Sequence, residues 1–328
     1  MNFRTIINVD PSSVKIAYSD RVMFLGSCFA SYMGEQMQLC KMPVMINPAG
    51  TVYNPVSVLN TIENLISGKI ISEDDLYCHE GTWLSFYHYT DFSSEDQESL
   101  IKKINDTTFE AREFLRRSRY IFITFGTARV YRWKKSGMIV SNCHKVPSAQ
   151  FETELLEVND IVDQWELLLS RLSEFNPDLK VVFTVSPVRH WKDGAHGNQV
   201  SKSVLFLSLE ELMKHPSGPV YFPAYELQMD DLRDYRFYND DMLHPSSSAI
   251  DYIWEKFSAA YFDNDTANLR TEVLKIVRAC KHRFMTDSPI NKRAFAEKML
   301  RQISEIKKRN SIINLAAETD YFLGLLDN

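Results

Sequence analysis

The sequence is poor in cysteine, in excess charge of either sign and in long apolar runs. Its five cysteines, at positions 28, 40, 78, 143 and 280, are odd in number and scattered, which argues against a disulfide framework. No apolar run approaches the roughly 20 residues that a bilayer-crossing helix needs. The opening MNFRTIINVDPSSVKIAYSD breaks at Asp10-Pro11 before a signal-like apolar stretch builds up. With 37 Lys plus Arg against 43 Asp plus Glu, the net charge of −6 lacks the broad positive field of a general nucleic-acid or acidic-lipid binder. No Gly-x-Gly-x-x-Gly or Gly-x-x-x-x-Gly-Lys-Ser/Thr loop occurs, which argues against nucleotide chemistry, and no Cys-x-x-Cys or His-x-x-x-His pair suggests a metal. The expectation is a cytoplasmic globular protein with no membrane segment, cofactor or metal. What is present fits that expectation: 328 residues, 45% hydrophobic and 24% charged, with eight histidines to account for.

Along the chain, short apolar runs alternate with helical periodicity. Arg21 to Leu25 is a strand-like run stopped by Gly26-Ser27, and Phe29 to about Leu39 then has helical spacing, with Met33, Met37 and Cys40 on one side. Pro43 to Ile46 leads to Asn47-Pro48-Ala49-Gly50. Helical spacing resumes after Asn54-Pro55, where Asn54 reads as an N-cap with proline at the first helical position. Tyr120 to Phe125 ends at Gly126-Thr127, and Leu179 to Val185 ends at Ser186-Pro187. A helix over about 199 to 214 and a strand over Pro219 to Pro223 follow. This alternation predicts an α/β fold with a mostly parallel sheet covered on both faces, and a ligand site beyond the carboxyl ends of the strands. Residues 1–264 would form this domain, with excursions at about 68–95 and 127–152, and 265–328 a C-terminal helical extension. There Phe295, Met299, Ile303 and Ile306 make an apolar stripe beside Lys292, Arg293, Lys298, Arg301, Lys307, Lys308 and Arg309. That basic face is either solvated or a surface for a partner.

Ser27, at a strand-to-helix junction, is either a helix cap or a nucleophile whose developing oxyanion would face the amides of the helix N-terminus. A nucleophile needs a base. Asp241 and His244 are spaced so that a turn brings carboxylate to imidazole, which fixes the tautomer and leaves Nε2 free to take a proton. Cys28 reads as a small buried residue opening the helix. His79 and His88 belong to an aromatic-rich excursion that suits a packed lid or a sugar-binding surface, while His215 and His282 read as surface residues.

Gly26-Ser27-Cys28-Phe29-Ala30 resembles the signature of the GSCFA family. Further blocks are similar to that family's: Gly50 with Tyr53-Asn54-Pro55, Gly126-Thr127-Ala128, Asn142 to Pro147, Ser186 to Arg189, and Asp241 to His244. The family resembles, more distantly, the SGNH/GDSL hydrolases. That resemblance implies a flavodoxin-like three-layer α/β/α sandwich and an esterase or acyltransferase with Ser27 as nucleophile, His244 as base and Asp241 as orienting acid. It also implies the Gly50 amide as an oxyanion donor. Alanine stands at 128 where those hydrolases carry an oxyanion-donating asparagine, and losing such a donor costs on the order of 2.7–4 kcal/mol. Gly126 and Asn142 are the further expected oxyanion residues, with Asn54 a second candidate for the missing amide. Asn54, Thr127, His144, Arg189 and His190 are the expected substrate contacts. The expected substrate is an acylated carbohydrate or small ester, and the alternative is a catalytically reduced glycan- or metabolite-binding module on the same fold.

Overall fold

A computed structural model describes residues 4–284 and 289–326; residues 285–288 and 327–328 of the expected extension lie outside the described residues. The β-branched and aromatic runs form strands, and each long strand stops at a small residue that lets the chain turn. The first strand β1 (Arg21–Gly26) passes into α1 (Cys28–Leu39), and β2 (Val44–Ile46) is followed by α2 (Pro55–Ser67). The first excursion carries β3 (Tyr77–His79), β4 (Thr82–Leu84) and β5 (Ser93–Ser94), and α3 (Gln97–Arg116) returns the chain to β6 (Ser118–Phe125). The second carries β7 (Arg129–Trp133), β8 (Ile139–Val140) and β9 (Phe151–Leu155), before α4 (Val158–Phe175) and β10 (Lys180–Val185). Next come α5 (Gly194–Leu212), β11 (Val220–Tyr221), the short α6 (Ala224–Glu226) and α7 (Ser247–Tyr261), then α8 (Asn264–Ala279), α9 (Pro289–Arg309) and α10 (Ala316–Gly324).

Five strands make one parallel sheet in the order β11-β10-β6-β1-β2, the flavodoxin-like order with its reversal between β1 and β6. Register places Gly26 beside Thr124 and Thr124 beside Thr184, so Ser27, Gly126 and Ser186 all emerge at one edge. One face, with Leu25, Ile123, Phe125, Val181 and Phe183, buries the apolar sides of α2 to α5. On the other face Phe24 and Phe122 meet Phe257 of α7, with Phe122 and Phe257 centroids 4.9 Å apart. There α1 comes so close to β2 that a Cβ on Gly34 would lie 2.5 Å from Ile46. Helices on both faces of a parallel sheet make the expected three-layer α/β/α sandwich.

The excursions are two antiparallel three-stranded sheets with a shared apolar cluster of Leu84, Phe86, Trp133, Val140, Val146 and Phe151. The chain divides into two compact units. The first takes Met1–Asp10, Arg21–Gly34 and Val44–Phe257; the second takes Pro11–Asp20, Glu35–Pro43 and Ser258–Asn328. The helical extension thus shares its unit with two N-terminal segments, to which Thr266 Oγ1 (3.0 Å to the Ile16 carbonyl) and the Lys41–Glu318 ion pair (2.6 Å) tie it. Within it the stripe of α9 buries Ala296, Met299, Ile303 and Ile306. Arg309 pairs with Glu272 and Arg293 with Glu297, so part of the basic face is neutralised. One boundary moves: α5 starts at Gly194 rather than near 199, because its first turn, Gly-Ala-His-Gly-Asn, has no apolar periodicity to betray it.

Candidate active site

The junction after β1 is built around Gly26, whose φ of +127° and closeness to the Thr124 carbonyl (2.1 Å from a notional Cβ) allow no side chain. Asn47, itself left-handed at φ 42°, accepts the Gly26 N–H at 2.8 Å and donates to Ser31 Oγ at 2.9 Å, pinning strand end to helix start. Ser27 is 1% exposed and serves as the cap of α1. Its Oγ accepts the Phe29 N–H at 3.3 Å and its carbonyl the Ala30 N–H at 2.8 Å. The side chain that turns toward the histidine is the next one, Cys28.

His244 sits on a tight turn ahead of α7. Asp241 Oδ1 accepts the N–H groups of Leu243 and His244, each at 2.9 Å, and Oδ2 meets His244 Nδ1 at 2.5 Å. These two amides, the His244 one first, and then the imidazole hold the Asp241 carboxyl down to about 2. The left-handed Met242 (φ 57°) and the Asn239 N–H to His244 carbonyl bond (2.8 Å) close the turn. With Nδ1 engaged, Nε2 is left to face Cys28 Sγ at 3.7 Å. Asp241, His244 and Cys28 therefore stand in the relay that the sequence suggested for Asp241, His244 and Ser27. Burial pushes the Cys28 thiol up, while its own and the Phe29 N–H groups and the charge of Lys202 pull the other way.

Lys202 was not singled out by its sequence. It is 2% exposed on α5, and its ammonium donates to the carbonyls of Gly126 and Ser186, both at 2.7 Å. It thus ties the ends of β6 and β10 together directly beneath the site. Burial pushes this ammonium down to about 7. A lysine inside the buried stripe Asn198, Ser201, Leu205, Leu209 and Leu212 is the signal that could have marked it. Cys28 could have been found by taking the capping role of Ser27 at face value, since a capping hydroxyl is already engaged.

Above these residues lies a solvent-open cavity of about 380 Å3, lined by Ser27, Cys28, Tyr53, Gly126, Ser186, Leu243, His244 and the segment Val188–Lys192. Of the expected substrate contacts, Arg189 and His190 are here. Burial, helped by nearby cations, pushes the His190 imidazole down toward the neutral form. The Arg189 N–H to Leu243 carbonyl bond (3.4 Å) docks this segment on the histidine turn. Burial holds the Tyr53 phenol protonated.

The other expected residues are committed elsewhere. Asn54 caps α2, with Oδ1 accepting the Ser57 N–H at 2.8 Å and Nδ2 donating to Ser57 Oγ. Thr127 turns its hydroxyl to Ser201 at 2.9 Å, and Ser201 in turn accepts the Ala128 N–H. His144 is buried between the excursions, its Nε2 3.0 Å from the carbonyls of both Ser85 and His88, and Asn142 Oδ1 accepts the His144 N–H. The Gly50 N–H closes a turn onto Asn47 (2.7 Å), and the Gly126 N–H goes to the Tyr53 carbonyl (2.7 Å). Those two amides are occupied because the loop after β2 folds back over the sheet edge, a long-range arrangement that local spacing does not encode.

Comparison with known proteins gives one clear result. Residues 21–257, most of the chain, match the GSCFA family, and the chain belongs to it. No curated protein matches the chain.

Proposed function

We propose that this GSCFA-family protein cleaves or transfers acyl groups from small esters, with Cys28 rather than Ser27 as the nucleophile. The observation that carries this reading is the run Asp241–His244–Cys28, with Nδ1 anchored at 2.5 Å and Nε2 facing sulfur at 3.7 Å. Contacts of this kind are commonly long before substrate binds. The thiol is neutral at rest, so His244 Nε2 takes its proton as sulfur attacks the ester carbonyl carbon. Asp241 accepts the Nδ1–H bond and balances the imidazolium. The tetrahedral oxyanion forms next to the Cys28 N–H and the positive end of α1, with the neutral Tyr53 phenol as a side-chain donor on the cavity wall. Collapse expels the alcohol, which recovers the proton from His244, and leaves a thioester on Cys28. Water, deprotonated by the same imidazole, releases the acid; an acceptor hydroxyl would make the reaction a transfer.

The test is intact mass and peptide mapping after incubation with p-nitrophenyl acetate. A hydroxylamine-labile acetyl group on Cys28, absent in Cys28→Ala, is the expected outcome, and acetylation at Ser27 would return the nucleophile to serine. A second reading, a binding module without turnover, draws on the occupied amides of Gly50 and Gly126. It predicts no adduct on either residue, together with ligand-induced stabilisation that survives Cys28→Ala.

A further inference from the structure

The permanent charges on the cavity wall have one sign: Arg189 and Lys192 line the cavity, and no Asp or Glu is among the lining residues described. The nearest carboxylates are engaged elsewhere, Asp193 with Arg129 at 3.3 Å and Asp241 with His244. Lys192 donates to the Tyr131 hydroxyl and feels Asp193 only through space, with no carboxylate in direct contact. Arg189 is the most telling of the group. Its guanidinium lies 4.8 Å above the Trp191 ring, which holds it in place, yet its Nε is buried with no hydrogen-bond partner. Beneath the same wall lies the Lys202 ammonium, which burial pushes down to about 7. A half-buried guanidinium stacked on an aromatic ring, with its Nε shut off from solvent and from any acceptor, gains from an anion that pairs with it. Its planar fork suits a carboxylate or a phosphate.

We infer that Arg189 is the receptor for an anionic group on the substrate, so that the ester handled at Cys28 also carries a carboxylate or phosphate. The inference rests on the proposed acyl chemistry for its location but not for its charge logic. Trp191, 46% exposed, serves as the platform that keeps the guanidinium extended over the cavity. Lys192 contributes longer-range attraction from the rim. Selection acts on the acid or alcohol portion near the thiol rather than on a distant surface.

Two reagents of equal size and different charge test this. Iodoacetate and iodoacetamide each alkylate a thiol with loss of iodide, and the exposed Cys78 provides an internal reference in the same molecule. The iodoacetate-to-iodoacetamide rate ratio at Cys28 should exceed that at Cys78 by about tenfold, as expected for one partly desolvated ion pair. In Arg189→Gln the Cys28 ratio should fall to the Cys78 value, and Arg189→Lys should restore part of the difference. Equal ratios at the two cysteines in the wild type, or a ratio untouched by Arg189→Gln, would overturn the inference.

A separate arm reads the melting temperature in phosphate, succinate or chloride at equal ionic strength. Stabilisation by phosphate or by succinate over chloride, lost in Arg189→Gln, supports the anion site and shows which anion it takes. No difference among the three salts counts against it. If Cys28 reacts with neither reagent while the anion stabilises through Arg189, the nucleophile assignment fails and the anion site stands.

Discussion

His244 and the pair His88–His144 use the same side chain for opposite ends. His244 projects from a turn with one ring nitrogen fixed by Asp241 and the other facing the Cys28 thiol, its side chain 32% exposed. His88 and His144 are buried between the excursions, where His88 Nδ1 meets Ser85 Oγ at 2.8 Å and His144 Nε2 donates to two carbonyls. Burial, then each other's proximity and Lys69, push His88 down to about 4, and burial pushes His144 down as well. An imidazole can act as a reagent when one nitrogen is held by a carboxylate and the other faces a thiol. His144, whose Nε2 is spent on two carbonyls and whose Nδ1 is buried without a partner, and His88, held by a hydroxyl, serve as cross-links instead. All three belong to blocks that the sequence marks as interesting, and the surroundings alone separate them.

The strongest way to break the comparison is to remove the open nitrogen or its thiol. His244→Ala and Cys28→Ala should each lower kcat for p-nitrophenyl ester hydrolysis by at least ~10³-fold with little change in melting temperature. Equal loss from His144→Ala in a folded protein would erase the distinction. Asp241→Asn should cost about 10²–10⁴ in kcat, because with its oxygen held by the Leu243 and His244 N–H groups the amide turns its NH2 toward Nδ1, selects the wrong tautomer and carries no charge to balance the imidazolium. Circular dichroism separates that loss from collapse of the turn.

The buried pair should answer to stability instead. His88 binds a proton less readily folded than unfolded, so the folded state loses stability as pH falls from about 6.5 to about 4. A shift of that size corresponds to roughly 3 kcal/mol at most. His88→Gln should flatten the dependence of the denaturation midpoint on pH across this window, and a slope equal to wild type would show that His88 does not drive it. The smallest effect is expected at Ser27, where Ser27→Ala removes a helix cap worth about 0.5–2 kcal/mol and should slow turnover far less than Cys28→Ala does. A Ser27→Ala loss as deep as that of Cys28→Ala would reinstate serine as the nucleophile.

The layered sheet was legible because apolar β-branched runs punctuated by Gly26, Gly126 and Ser186 have few other ways to fold. The Asn54 cap and its proline were legible for the same local reason. Helices α3 and α4 were not picked out; α3 buries only Leu100, Ile104, Ala111 and Leu115 among many charges, and its stripe is thin. At the site, the Asp241–His244 turn follows from spacing, since one carboxylate can satisfy two successive amides and an imidazole. Which of two adjacent residues meets that imidazole depends on the helix phase at α1, a difference of one position that residue type alone does not resolve. The occupied amides of Gly50 and Gly126 and the anchoring role of Asn47 arise from contacts between segments distant in sequence.

Lys202 joins the site to proton balance in a way that reaches beyond its two carbonyl bonds. Its positive charge favours the Cys28 thiolate, and by reciprocity a negative sulfur favours a proton on Lys202. Capping the sulfur as a thioester removes that negative partner, so the acylated protein should hold the Lys202 proton less tightly than the protein with a thiolate does. Because the resting thiol is neutral, this coupling acts only while the sulfur is ionised, as it attacks and again as the thioester breaks. The Lys202 bonds to the Gly126 and Ser186 carbonyls should therefore be charged most fully at the two moments when the sulfur carries charge, which ties the cavity floor to the same steps that move the proton of His244.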